Sequence, residues 1–193
     1  MQICILAGSP RKHGNTAALL KPFMETLDRH GADADLYWLY EKDIRPCTAC
    51  CTCQNYHAGF GCIQHDDMAD IFDAVLSADL ILLATPIYSW YCPAPLKAAL
   101  DRLVYGMNKY YGDERGGSLW KGKQCAILAT CGYPPDQGAD LFEEGIKRYC
   151  RHSHLEYAGM CAAQDPGYRA VFMTEDKREM AQAFALRLLP SST

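Results

Sequence analysis

A parallel α/β sheet covered by helices on both faces is the fold class this sequence predicts, and two observations carry it. Short apolar runs alternate with stretches of helical spacing along the chain, and one run, DLILLATP at residues 79–86, is apolar enough for a strand buried on both sides. Five strands interleaved with helices in this way imply right-handed crossovers and a doubly wound sheet.

The elements follow in order. Gln2–Ala7 is a short apolar run closed by Gly8, and Asn15–Arg29 places Ala18, Leu19, Phe23 and Leu27 at helical spacing. A second strand is expected over residues 34–40, then a cysteine-rich loop, then a helix opening near Asp66 and Asp67, whose carboxylates suit a first turn. The third strand covers 79–84, a helix begins at 95–103, and the fourth strand covers 124–130. A helix over 138–149, a fifth strand over 155–162 and a closing helix over 174–189 complete the series, with Thr174 capping the last helix ahead of Glu175 and Asp176.

Composition narrows the function. With 193 residues and 49% hydrophobic content the chain can bury one core, so residues 1–193 are read as a single domain with a cysteine-rich loop at 45–64. The net charge of −4, without a basic run, gives no support to a nucleic-acid or anionic-membrane partner. MQICILAGSP lacks the features of a signal peptide and no apolar run reaches membrane-spanning length, so a cytoplasmic protein is expected. Eleven cysteines in that compartment point to metal or redox chemistry rather than to a disulfide framework.

In a doubly wound sheet ligands bind beyond the carboxyl ends of the strands, where strand order reverses. The loop after the first strand reads GSPRKHGNT, and Ser9, Arg11, Asn15 and Thr16 leading into a helix compose an anion cradle. It lacks the lysine of a nucleotide triphosphate loop and the GxGxxG of a dinucleotide loop, which favours a single phosphate monoester. An ordinary βα turn is the plain alternative. After the third strand, TPIYSWY supplies aromatics beside Pro86, a platform for a flat ring, against the duller reading of a core cluster. After the fourth strand, TCGYPPD brings Gly132 and Tyr133 to the same end of the sheet. CTACCTCQNYHAGFGC, residues 47–62, spaces Cys47, Cys50 and Cys53 as C-x2-C-x2-C, with Cys62 after eight intervening residues and Cys51 as an additional thiol. Four thiolates satisfy a [4Fe–4S] cluster, zinc could use the C-x2-C pairs with His57 or His65, and free thiols are the third reading.

Taken together, GSPRKHGNT, PCTACCTC, GCIQHDDM, ADLILLATPIYSWYCPAPLKAALDR and TCGYPP resemble, in order and spacing, the flavodoxin-like NAD(P)H-dependent FMN reductases, and most of all their iron–sulfur flavoprotein branch. The resemblance covers residues 1 to about 135. It implies a flavodoxin-like sheet of order 2-1-3-4-5. It also implies FMN bound through its phosphate by Ser9, Arg11, Asn15 and Thr16, with the isoalloxazine lined by Pro86, Ile87, Tyr88, Ser89 and Trp90 and closed by Thr130, Cys131, Gly132 and Tyr133. Backbone N–H groups of residues 87–90 are assigned to the negative charge that gathers near N1 and the C2 oxygen of reduced flavin. A [4Fe–4S] cluster on Cys47, Cys50, Cys53 and Cys62 is the further expectation.

The activity so implied is electron transfer from NADH or NADPH through FMN to a small-molecule or protein acceptor. A flavodoxin-like carrier without enzymatic turnover is the rival, and a metal-binding regulatory module without flavin a third. No catalytic protein side chain is required, and the six histidines are read as structural or surface residues. Cys92 and Cys131 are expected near the flavin, and Cys4, Cys125, Cys150 and Cys161 as small buried groups. The family implies a homodimer or homotetramer, with the long segment 105–123 covering a neighbour's active site.

Overall fold

The computed structural model describes residues 1–167 and 170–190. Its centre is a five-stranded sheet of order β2-β1-β3-β4-β5, every neighbouring pair parallel. The strands are β1 (Gln2–Ala7), β2 (Asp33–Trp38), β3 (Leu80–Pro86), β4 (Gln124–Cys131) and β5 (Glu156–Gln164). The helices are α1 (Asn15–Arg29), α2 (Met68–Ser77), α3 (Ala94–Met107), α4 (Pro135–Gly138), α5 (Asp140–Ser153) and α6 (Glu175–Leu188). This is the doubly wound, flavodoxin-like sheet that the sequence implies.

Alternation along the central strands splits the core in two. Ile3 and Ile5 of β1, Leu80 and Leu82 of β3, and Ala126 and Leu128 of β4 pack with Leu19, Phe23 and Leu27 of α1 and Phe184 and Leu188 of α6. Their neighbours Cys4, Leu6, Ile81, Leu83, Cys125 and Ile127 face the other way, onto Phe72 of α2, Leu96 and Leu103 of α3, and Phe142 and Ile146 of α5. Period-2 side-chain direction on a buried strand therefore sends two helices to one face and three to the other. Cys4, Cys125, Cys150 and Cys161 are buried in these layers, and burial pushes the Cys4 thiol up to about 12.

Element ends moved where tertiary contacts intervened. β2 stops at Trp38 and a 3-10 turn follows over Leu39–Glu41, because Leu39 turns fully into the core. α3 runs to Met107, four residues past the expected end, since Met107 also reaches the core. Pro134 and Pro135 open a separate short helix, α4, before α5, consistent with proline's place in a first helical turn. Thr174 does cap α6, its Oγ1 accepting from Lys177 N–H at 3.4 Å. No helix among the described residues is long and apolar enough to cross a membrane.

Candidate functional site

Chain order reverses at β1, whose two neighbours are β2 and β3. The loops after β1, β3 and β4 consequently meet over one crevice at the carboxyl end of the sheet. Gly8 lets β1 close on α3, since a Cβ there would stand 2.9 Å from Leu96 Cβ. The chain then turns at Ser9, whose Oγ accepts from Arg11 N–H at 3.2 Å. α1 begins without a side-chain cap and without an acidic residue in its first turn. Its first intrahelical bond is Ala18 N–H to Gly14 C=O, so the N–H groups of Asn15, Thr16 and Ala17 have no intrahelical acceptor. The positive end of the helix dipole points out of that same turn. Thr16 Oγ1 lies 2.8 Å from Thr130 Oγ1, joining the first loop to the end of β4.

Two hollows share this crevice. One, of about 250 Å³, is lined by Ser9, Arg11, Asn15, Thr16, Pro86, Ile87, Tyr88, Thr130, Cys131 and Gly132. The other, of about 300 Å³, shares Ile87, Tyr88, Cys131 and Gly132 with it and adds Ser89, Trp90 and Tyr133. All thirteen residues singled out from the sequence thus border these two adjoining hollows. Asp165 and Gly138 line them too and were not anticipated. Asp165 carries no local motif; it arrives because its N–H donates to Cys131 C=O at 2.7 Å as β5 ends beside β4. Cys131 borders both hollows, and burial pushes its thiol up. Cys92 borders neither: it turns into the core beside α3 and α5, and that burial pushes its thiol up to about 12.

The loop after β3 is a tight hairpin. Tyr88 and Tyr91 exchange both backbone hydrogen bonds, at 2.8 and 3.0 Å, across Ser89 and Trp90, whose φ values are +49° and +63°. Ile87 N–H donates to Thr130 C=O at 2.7 Å. Of the four N–H groups in the segment 87–90, those of Ile87 and Tyr88 are therefore consumed, and the expectation for that segment contracts to Ser89 and Trp90. Trp90 is held by its indole N–H, which donates to Gln137 C=O at 3.0 Å, and by stacking on Tyr133 with ring centroids 6.0 Å apart.

The cysteine loop folds into a cage against α3. Cys47, Cys50, Cys51, Cys53 and Cys62 line one small enclosed cavity with Phe60, Arg102 and Tyr105. One buried cation, Arg102, lines it, and a second, Lys109, lies behind the loop and holds its carbonyls. Arg102 pairs with Asp66 through contacts of 2.8 and 3.1 Å, both side chains almost wholly out of solvent. Its Nε–H has no acceptor among the described residues. Lys109, fully buried, donates from Nζ to the carbonyls of Cys53, Gly59 and Phe60 at 2.9, 2.8 and 3.3 Å. Burial pulls Lys109 below the ordinary lysine range. Burial also pushes the Cys53 thiol up, against the pull of the Lys109 ammonium. Cys50, at the exposed lip, is pulled down by hydrogen bonds from the Thr52 backbone and hydroxyl.

The long segment after α3 is the strap of this cage. Gln54, fully buried, donates to the carbonyls of Tyr105 and Asn108 at 2.6 and 2.9 Å and accepts from Tyr111 N–H at 3.0 Å. Asn55 and Asp113 bond each other reciprocally at 2.9 Å. The length of this segment thus serves the chain's own cysteine loop. Among the described residues no group of three or more His, Cys, Asp and Glu is placed to hold a single metal ion. Cluster ligation makes no such demand, because each thiolate binds a different iron.

Residues 1–139 match the family model of the NADPH-dependent FMN reductases. An iron–sulfur flavoprotein of Archaeoglobus fulgidus is 33% identical over 115 residues, which is 59% of this chain and 51% of that protein. The chain therefore spans about half the length of such relatives. Among solved structures, an NAD(P)H:quinone oxidoreductase from Methanothermobacter marburgensis superposes with a TM-score of 0.68 at 21% identity, covering 97% of this chain and 96% of that one. An FMN-dependent NADH-azoreductase from Bacillus anthracis, in complex with FMN, gives 0.69 at 16% identity, covering 97% and 98%. These two likenesses concern the fold. With the family match spanning most of its length, the chain belongs to the NADPH-dependent FMN reductase family.

Proposed function

We propose that this protein is an NAD(P)H-dependent oxidoreductase that holds FMN in the cleft at the carboxyl end of the sheet and passes electrons to a second acceptor by way of a [4Fe–4S] cluster on Cys47, Cys50, Cys53 and Cys62. The observation that carries the reading is the pair of adjoining hollows with shared lining, one at an uncapped helix start and the other at an aromatic hairpin.

The residues present fit the cofactor. The N–H groups of Asn15, Thr16 and Ala17, with the Ser9 and Thr16 hydroxyls and the Arg11 guanidinium, offer donors and positive potential to one phosphate. Ile87, Tyr88 and Trp90 on one side and Cys131, Gly132 and Tyr133 on the other would hold a flat ring between them. When bound, FMN supplies hydride acceptance at N5 and onward electron transfer. The Ser89 and Trp90 N–H groups, not spent inside the hairpin, would then face the carbonyl edge of the ring and favour negative charge there. Tyr133 and Trp90, half exposed, leave the ring open to a nicotinamide. For the cluster, the fit rests on the thiols of one cavity and on the unmet Arg102 Nε–H beside it, a donor suited to a sulfur acceptor. A cluster there would supply one-electron exchange between the flavin and a protein carrier.

The test is an absorption spectrum of anaerobically purified protein with iron and acid-labile sulfide measured on the same sample, followed by addition of NADH or NADPH. Flavin bands bleached by a nicotinamide, with about four iron and four sulfide per chain, are expected. Flavin bleached by dithionite alone would support the carrier, and flavin without iron would remove the cluster.

A further inference from the structure

Lys109 poses a problem that the cleft does not solve. Three carbonyl oxygens surround its Nζ, at 2.9, 2.8 and 3.3 Å, and only an ammonium has three N–H donors to meet them. The group is therefore a cation, and it has no exposure to solvent. Neutral carbonyls satisfy its hydrogen bonds but do not cancel its charge. Among the described residues it makes no ion pair with a carboxylate, whereas the other buried cation of the cage, Arg102, has Asp66. An uncompensated buried charge is among the most costly features a fold can carry. The anion that repays it is next door: the carbonyls Lys109 holds belong to Cys53 and to Gly59 and Phe60, shortly before Cys62, and the thiols of those cysteines share one cavity.

We propose that Lys109 is the charge-compensating residue of the cysteine site, a fixed cation that neutralises part of the negative charge of the thiolate-bound cluster and so makes the cluster easier to reduce. The inference rests on the reading that the loop binds a cluster. Four thiolates around a [4Fe–4S] core leave a net negative site, and each added electron deepens it; a positive charge buried in low dielectric opposes that penalty more strongly than a surface lysine would. Arg102 also faces Cys62, but it is paired with Asp66, so that pair together brings no net charge. The role is thus separable from the mechanical one that Lys109 also plays in holding the loop.

The experiment compares wild type, Lys109→Met and Lys109→Arg after anaerobic reconstitution, reading iron and sulfide content and the cluster midpoint potential by dye-mediated titration with paramagnetic resonance detection. Methionine keeps the length and removes the charge; arginine keeps the charge. The expected result is a midpoint shifted to more negative potential in Lys109→Met. If Lys109→Met holds a cluster, its potential alone decides, and a wild-type value overturns the proposal. If Lys109→Met takes up no iron while Lys109→Arg does, charge is required, as proposed. Loss of the cluster in both variants would assign Lys109 a purely structural role and overturn it. Wild type that takes up no iron removes the cluster reading itself, and this proposal with it.

Discussion

Asp66 illustrates how one residue can answer a local rule and a distant one at once. Its position before α2 suits a helix start, and its Oδ1 does accept from Met68 N–H at 3.2 Å. Its stronger commitment is to Arg102, 36 residues away, in a pair hidden from solvent. Burial alone would raise the Asp66 carboxyl, but donors from Arg102, Arg45 and Met68 outweigh it and hold the pKa below the ordinary carboxylate value. A carboxyl depressed in the folded state stabilises the protein fully above its unfolded pKa of about 4 and loses that contribution as pH falls through the folded value. Asp66→Asn should therefore cost about 3–5 kcal/mol near neutrality, by stranding a buried guanidinium. It should also flatten the acid limb of the stability profile, and urea melts at pH 7 and at pH 3 would show both. An unchanged midpoint at pH 7 would mean that the pair is solvated in solution.

Two short elements carry backbone features that the sequence only partly signals. The hairpin Tyr88–Tyr91 needs positive φ at both central positions, for which glycine and asparagine are the usual choices, yet it uses Ser89 and Trp90. Such conformations cost non-glycine residues about 1–2 kcal/mol each. They cluster where a loop has work beyond stability. Ser89→Gly should stabilise the flavin-free protein by about 0.5–1 kcal/mol, the relieved strain less the extra freedom of glycine in the unfolded chain, and denaturant midpoints would check the sign. In the strap, Gly112 packs against the cysteine loop so closely that a Cβ would collide with Asn55 Oδ1 and stand 2.6 Å from Gln54 C=O. Gly112→Ala should thus lift the strap, costing about 1–3 kcal/mol. Limited proteolysis should then cut residues 47–62 faster than in the wild type.

At the scale of the molecule, the ligand cleft joins loops from β1, β3 and β4 that are otherwise tied mainly through the sheet. Occupancy should therefore stabilise the whole fold. FMN at about a hundred times its Kd should add about 2.7 kcal/mol, raising Tm by roughly 5–10 °C for a domain of this size. Riboflavin, without the phosphate for the α1 turn, should need a much higher concentration to give the same shift. Calorimetry with both ligands measures this, and equal shifts at equal concentration would place no phosphate at Ser9, Arg11, Asn15 and Thr16.

The sequence by itself determined the elements, their order and the cleft-lining loops, because strand and helix periodicity, β–α alternation and ligand-binding turns are all local patterns, and the crossover rule converts them into a sheet. GSPRKHGNT and TPIYSWY could be read as site loops for that reason. What only the tertiary structure decided is non-local. The use of two N–H groups inside the 87–91 region, the arrival of Asp165, the withdrawal of Cys92 and the folding of the 105–123 segment onto its own cysteine loop all depend on which chain segments meet. So does the burial of Lys109, an ordinary lysine in the sequence, which becomes a buried cation only when α3, its strap and the cysteine loop close around it.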